Sequence, residues 1–515
     1  MLALSSSSYI CHNCFKSLRD VSVSAKNVSR RRLSSLSSPS IPTRPFRLAI
    51  IGSGPAGFYA ASRVLREHNK TVIDMYEQLP VPFGLVRFGV APDHPEVKVT
   101  STLPLQNLAN RPSQNCQDRF EEIASLPNFN FIGNIRLGQD IALSTLRPHY
   151  DAILFAYGAS NDRLLNIPGE NLPNILSARE FVAWYNGLPG FSNLPLPLSK
   201  ARNAVIIGQG NVALDVARIL LSDVSELRKT DTPEPVLAAL SQNTCETVHI
   251  VGRRGPIQAA FTIKELRELT TSSRALQPVP RTYFPADLKT LPRARKRIAE
   301  LLLKPVPSPT PPRSTELHFL AAPTTFNSED GVLSSTTFSR TRFINDPFDP
   351  IARVEADNTA QSLTLPSDIA FRSIGYTASA IPGLEALDVP FNSARGIIPN
   401  TQGRVVTSGN GEVVPGMYVA GWVKRGPTGV IATTMADAFE TADAIVADIG
   451  QIAEEKQSDG GGWEAVSAQI RDKVRTVSWA EWKAIEAEER RRGEKLGKPR
   501  EKITSVEEML KVLDG

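Results

Sequence analysis

Short, nearly continuous apolar runs recur along the chain, and each opens into a glycine turn followed by a helical pattern. The first is Arg47-Leu48-Ala49-Ile50-Ile51, with the folded region expected to begin at Phe46. Ala204-Val205-Ile206-Ile207 repeats it after a proline- and glycine-rich stretch around residues 187–197, and Met417-Tyr418-Val419-Ala420 is a third such run. Runs this short, apolar at consecutive rather than alternate positions, predict strands buried on both faces of a parallel sheet. Their repetition with glycine turns and helices predicts an α/β fold with more than one nucleotide-binding unit.

The turns carry the candidate chemistry. Gly52-Ser53-Gly54-Pro55-Ala56-Gly57 comes directly after the first run and precedes a helical stretch from Phe58 to about Glu67. In such a turn the first glycine permits the tight bend and the second lets a pyrophosphate approach the backbone. The third allows close helix–strand packing, while the helix N-terminus faces the negative charge. The bland alternative is a purely structural turn. Against it, the next expected strand, Thr71–Tyr76, ends in Glu77, about 20 residues beyond the last glycine, where an acid takes the ribose hydroxyls. A carboxylate there repels a 2′-phosphate, so FAD or NAD suits this site better than NADP.

A second turn, Gly208-Gln209-Gly210-Asn211-Val212-Ala213, repeats the logic with alanine in third place. Its ribose-facing strand is expected at Thr247–Val251, and that strand runs directly into Gly252-Arg253-Arg254. Two guanidiniums in place of an acid suit a 2′-phosphate through paired, charge-assisted hydrogen bonds. The alternative is a solvated basic turn, and an inserted segment at roughly 221–246 separates the turn from these arginines. Two dinucleotide sites in one chain make a hydride circuit from NADPH to a flavin, which needs alignment more than acid–base catalysis.

Composition narrows this reading. The 515 residues are 41% hydrophobic and 22% charged, enough for two large globular domains. No stretch reaches the roughly 18–20 apolar residues of a membrane span, which leaves peripheral contact with an inner membrane open. A net charge of +5 leans towards acidic partners or phosphate-bearing ligands. Residues 1–45 are serine-rich and basic, with Asp20 the single acid, the composition of an organellar transit peptide. A mitochondrial destination is expected, with plastid second. Cys11 and Cys14 fall in that segment, and Cys116 and Cys245 stand far apart, so neither a dithiol relay nor a metal site is expected. Lys304–Pro312 reads as an exposed extended loop. Beyond about residue 450 the chain turns charged and helical, with Gly460–Gly462 as a flexible joint and no catalytic reading.

At this point the residues carry a family resemblance. The segments Pro80–Glu96 (PVPFGLVRFGVAPDHPE), Gly208–Arg218 (GQGNVALDVAR), Gly252–Pro256 (GRRGP) and Gly421–Thr434 (GWVKRGPTGVIATT) together resemble the mitochondrial adrenodoxin reductases, also called ferredoxin–NADP reductases. The resemblance runs from about Phe46 to the C-terminus, including Gly497–Glu501, and is weakest over about 270–365. It implies two Rossmann-like domains in a glutathione-reductase-like arrangement. Residues 46–160 and 366–515 would form the FAD-binding domain with its helical tail, and 161–365 the NADP-binding domain.

The resemblance further implies FAD in the first site, touched by Ala56, Glu77, Leu85 and Leu137, the last through its backbone. Trp422 and Gly429-Val430-Ile431 would lie at the flavin, with Gly429 also near the nicotinamide. NADP(H) would be held by Gln209, Gly210, Asn211, Val212, Arg253, Arg254 and Glu265. The sequence itself supports Glu77, the glycines and the arginines, but it reads Glu265, within Thr262–Glu268, as part of a solvated face. His94 and Asp215 would stand near one another between flavin and partner, moving a proton or making a structural hydrogen bond. The implied acceptor is a mitochondrial [2Fe–2S] ferredoxin feeding cytochrome P450, haem or iron–sulfur biosynthesis. It would dock on a basic face, for which Arg267, Arg293 and Arg297 are the candidates. Two other readings are an electron-input flavoprotein resembling the glutamate synthase small chain, which carries cysteine clusters this chain lacks, and a non-catalytic flavoprotein scaffold.

Overall fold

The computed structural model describes residues 44–94, 116–271, 275–304, 313–429, 431–455, 460–470 and 473–515. The expected transit peptide up to residue 43, Pro95 and Glu96, most of the proline-rich loop, Val430 and the side chain of Ile431 lie outside the described residues. Arg44, at the end of the basic leader, makes a bidentate pair with Asp151 at 2.7 and 2.8 Å.

The chain first lays down four parallel strands, β1 (Arg47–Ile51), β2 (Val72–Tyr76), β3 (Phe129–Ile132) and β4 (Ala152–Phe155), ordered β3-β2-β1-β4. It then crosses through β5 (Asn161–Asp162) to a second region containing β6 (Ile175–Ser177), β7 (Asn203–Ile207), β8 (Thr247–Val251), β9 (Ala275–Leu276) and β10 (Ser314–His318). Four antiparallel strands come next, β11 (Ala321–Glu329), β12 (Val332–Phe343), β13 (Val354–Ala356) and β14 (Leu363–Pro366), and then β15 (Ile369–Arg372). The second sheet is parallel throughout, in the order β6-β15-β7-β8-β10-β9. The chain returns through β16 (Tyr376–Thr377), antiparallel to β5, and β17 (Asn400–Thr401), β18 (Arg404–Val406) and β19 (Val413–Val419) complete the first sheet beside β4.

The parallel strands of both large sheets are covered on both faces, which is why β1 and β7 have no polar alternation. In β1, Leu48 and Ile50 enter one core with the helices Pro55–Glu67 and Ile431–Glu455, while Ala49 and Ile51 enter another with Leu143, Leu387 and Val405. In β7, Ala204 and Ile206 pack under helices and Val205 and Ile207 face the antiparallel sheet. Successive strand side chains point to opposite faces, so a strand sandwiched between two layers must be apolar at every position. β15 falls beyond residue 365, the expected end of the second domain, yet it pairs with β7 and β6, so the second sheet runs to Arg372.

The charged tail has a structural task that its composition did not announce. Glu489, in the helix Trp479–Lys495, is fully buried against Arg87 at 2.6 Å, and Arg87 lies over the Trp482 ring at 5.0 Å. Arg87 belongs to the short helix Leu85–Phe88 beside the first glycine turn. From the same tail, the buried Lys498 reaches the Thr232 carbonyl at 2.8 Å, and Lys502 reaches Asp231 at 2.9 Å and the Asn186 carbonyl at 3.1 Å. The tail thus ties loops of the second region to the first. Gly460–Gly462, expected as a flexible joint, form a turn with positive φ at all three residues. This turn is held by His149, whose ring meets the Gly460 carbonyl at 2.6 Å and whose carbonyl accepts from Gly462 at 3.1 Å.

Breaking a buried ion pair from one side leaves a stranded charge. Glu489→Ala should therefore lower the unfolding free energy of the holoprotein by about 3–5 kcal/mol in a urea titration. A loss below about 1 kcal/mol, the scale of an exposed pair, would contradict this role for the tail.

Candidate functional site

The two glycine turns are built on the same plan at the same place in their sheets. Gly52 N donates to the Tyr76 carbonyl at 2.8 Å, and Gly208 N donates to the Val251 carbonyl at 2.8 Å. Each first glycine has positive φ, 106° and 131°, and its backbone presses on the chain leaving the strand across the crevice. A Cβ on Gly52 would lie 2.7 Å from the Ala156 carbonyl oxygen, and one on Gly208 would run into the Ser373 carbonyl. These crevices, β1/β4 and β7/β15, are where strand order reverses, the position at which open α/β sheets bind ligands. The second glycines differ in the way a ligand cradle requires. A Cβ on Gly54 or Gly210 would meet nothing within 4 Å, so the backbone there is open to an approaching group. Both turns therefore fit a dinucleotide pyrophosphate at the helix N-terminus.

Around the first turn, Gly84 lies against Gly54, and Phe83 N donates to the Ser53 carbonyl at 3.1 Å, which sets Leu85 beside the cradle. Gly421 meets Ala56 closely enough that a Cβ would stand 2.6 Å from the alanine methyl. Glu77 is buried at the end of β2. Its Oε2 accepts from Ser53 N at 3.1 Å and Ser53 Oγ at 2.7 Å, and its Oε1 accepts from Leu79 N at 3.1 Å. Burial raises its pKa, and these hydrogen bonds oppose the rise. The Glu77 carbonyl accepts from Ile135 N at 2.9 Å, two residues before the buried Leu137.

The second turn carries the opposite charge at the equivalent place. In register, Ile51 pairs with Tyr76 and Ile207 with Val251, so Glu77 and Gly252 are equivalent, and Arg253 and Arg254 come next. The inserted segment does not disturb this register, because it folds outside the sheet as the helices Val224–Leu227 and Glu234–Ser241. Both arginine side chains are exposed, and neither is in an ion pair among the described residues. Gln209 packs over Gly252, and its amide donates to the His318 carbonyl at 3.0 Å. Asn211 Oδ1 accepts from Thr262 N at 2.8 Å, which fixes the start of the helix carrying Glu265 to the turn beside Val212.

A partly buried charge cluster on the helix Asn211–Leu221, which begins at the second turn, joins the two regions. Arg218 makes a bidentate pair with Asp93 at 2.6 and 3.0 Å, bonds Asp215 at 2.8 Å, and stands 3.4 Å from Glu265 and 3.6 Å from Glu268. His94 Nε2 meets Glu268 at 2.5 Å and Glu265 at 3.8 Å. Burial opposes the imidazolium of His94, but Glu268 and Glu265 outweigh it and raise the pKa. Burial together with the Asp215 charge pushes Glu265 up to about 7, and burial raises Asp215 against the pull of Arg218. Glu265 is half-buried here rather than on a solvated face. Sequence reasoning passed over Asp93, Arg218 and Glu268 as functional. The signal was an arginine one helical turn after Asp215 on an apolar helix, which must be paired when buried.

Trp422 stands on the returning chain, its ring 5.5 Å from that of the partly buried Tyr376. Gly421 N donates to Asp437 Oδ2 at 2.6 Å. Gly429 has φ of 83° just before the helix Ile431–Glu455. Arg267 is exposed on the helix Ile263–Thr271, and Arg293 and Arg297 are exposed on the helix Arg293–Leu302, which packs against it.

The pyridine nucleotide-disulphide oxidoreductase family model matches residues 46–270. The chain is 43% identical over 478 residues to a Drosophila melanogaster protein named NADPH:adrenodoxin oxidoreductase, mitochondrial, covering 92% of this chain and 94% of that one. It is 42% identical over 487 residues to the Homo sapiens protein of the same name, covering 91% and 92%. Among solved structures, Mycobacterium tuberculosis FprA in complex with NADPH superposes with a TM-score of 0.80 at 36% identity, over 92% of this chain and all of that one. With identity of this order over nine-tenths of the chain, the chain belongs to the NADPH:adrenodoxin oxidoreductase family.

Proposed function

We propose that this chain is a mitochondrial NADPH:ferredoxin oxidoreductase, holding FAD at the first turn and NADP(H) at the second and passing electrons singly to a [2Fe–2S] ferredoxin. The observation that carries the nucleotide assignment is the charge reversal at equivalent positions, Glu77 after β2 against Arg253–Arg254 after β8. A buried carboxylate suits ribose hydroxyls and repels a 2′-phosphate, whereas two unpaired guanidiniums suit that phosphate. FAD, when bound, accepts two electrons as hydride from the nicotinamide and gives them up one at a time.

The protein's own part is placement. Gly52, Gly54, Ala56, Gly57, Leu85 and Leu137 line the first cradle, and Gln209, Gly210, Asn211 and Val212 the second. Trp422 and the segment at Gly429 close over the first cradle and exclude water. Glu265 orients the nicotinamide end, and His94 and Asp215, coupled through Arg218, hold a proton beside it. The FAD-binding domain takes two stretches of chain and the NADP-binding domain the stretch between the β5 and β16 crossings. No helix among the described residues is long and apolar enough to cross a membrane. The basic, serine-rich N-terminal segment and the mitochondrial names of the relatives support the matrix as location.

Electrons leave through a docked partner. Cys245 is a free cysteine, buried with its thiol pushed up to about 12, so it offers no thiolate relay. An acidic ferredoxin fits the exposed Arg267, Arg293 and Arg297. An electron-input subunit would need cluster ligands, and a scaffold would need no Arg253–Arg254 pair; neither reading is favoured.

Replacing Arg253 and Arg254 together by alanine should raise KM for NADPH by about 10–100-fold, the worth of hydrogen bonds to a charged group, and leave KM for NADH unchanged. Equal effects on both nucleotides in steady-state ferricyanide assays would remove these residues from the phosphate site. Arg293→Glu with Arg297→Glu should cut ferredoxin-dependent cytochrome c reduction and spare NADPH-to-ferricyanide turnover. Equal losses in the two assays would sink the docking face.

A further inference from the structure

The second sheet is apolar along β7 and nearly so along β8, with one interruption. His249 stands in the middle of Thr247–Val251, buried, on the face shared by Val251 and the antiparallel sheet rather than on the helix-covered face of Val248 and Ile250. A histidine in a buried strand position needs a polar partner, and β10 supplies two. Its parallel register sets Glu316 beside His249, and His318, two residues on, points to the same face.

The three side chains converge on one point. His249 Nδ1 lies 3.1 Å from His318 Nε2, and Glu316 Oε2 lies 3.3 Å from the first nitrogen and 3.4 Å from the second. These separations match the edge between donors of a tetrahedral zinc ion, about 3.3–3.4 Å for bonds near 2.0–2.1 Å. Protons alone satisfy the triangle poorly, since one N–H can join the two nitrogens but leaves a ring lone pair facing a carboxylate. No protein cation fills the position: among the described residues Glu316 pairs only with these two histidines. Among the described residues the other convergence of this kind, His94 with Glu265 and Glu268, differs because Arg218 already stands 3.4 and 3.6 Å from its two carboxylates.

We propose that His249, Glu316 and His318 form a binding site for a divalent transition-metal cation of the zinc class, with a fourth position open to water. Two imidazoles and a single carboxylate select zinc-like ions over magnesium or calcium, which take mostly oxygen. The Glu316 side chain is 38% exposed, which gives an ion a way in. The site lies just outside the second glycine turn, since the His318 carbonyl accepts from Gln209 at 3.0 Å and from Gly252 N at 2.9 Å.

The test is isothermal titration of tag-free, metal-stripped holoprotein with Zn²⁺ alone. The wild type should bind one equivalent at this site. Groups that merely support a metal ligand are worth about 10–100-fold in affinity, so removing a ligand should cost at least about 100-fold. His318→Gln and, separately, the solvent-side Glu316→Gln should show that loss while keeping flavin content and ferricyanide turnover. Glu316→Gln keeps the proposal testable if a histidine variant fails to fold. No zinc uptake by the wild type, or uptake unchanged in both variants, would overturn the site.

Discussion

Both nucleotide turns depend on a close approach of bare backbone. Gly52 rests against the chain leaving β4 and Gly208 against the chain leaving β15, each with a backbone angle that side chains rarely adopt. The contact seals the floor of each crevice, and it leaves Gly54 and Gly210 facing open space at a helix N-terminus. A side chain at either first glycine would push apart the strands whose ends form the crevice. The sheet order, with the turn strand at the point of reversal, turns that local freedom into a ligand site.

Two such sites serve one reaction only if the regions bearing them hold a defined relation. The structure ties them by buried charge as well as by apolar packing. Asp93 comes from the first region and Arg218 from the second, and their bidentate pair has Asp215, Glu265 and His94 around it. On another side the tail binds Arg87 through Glu489 and the loop at Asp231–Thr232 through Lys498 and Lys502. Buried ion pairs contribute little net stability because desolvation offsets their attraction, but mispairing them is expensive. They therefore favour one alignment of the two turns over others.

How much the chain alone reveals depends on how local each signal is. The β1 and β7 runs, both glycine turns and the Glu77 against Arg253–Arg254 contrast are short-range patterns, and the structure sets them in equivalent registers. β11–β14 were not foreseen, although Asp330-Gly331, with positive φ at both residues, marks the hairpin between β11 and β12. β15 escaped because three apolar residues and an arginine, Ile369–Arg372, gain meaning only beside β7. Glu265 read as a solvated face because its partners, Arg218 and His94, are remote in sequence. The tail's composition likewise could not reveal Glu489, whose partner lies 402 residues away.

In the proposed route, hydride enters from NADPH at the second turn and reaches a flavin at the first. The most direct measurement is the visible flavin absorbance of the purified protein, mixed anaerobically with stoichiometric NADPH or NADH in a stopped-flow instrument. The protein should be yellow, with NADPH bleaching it rapidly and NADH far more slowly at the same concentration. A colourless protein that takes up no FAD, or equal bleaching by the two nucleotides, would contradict it.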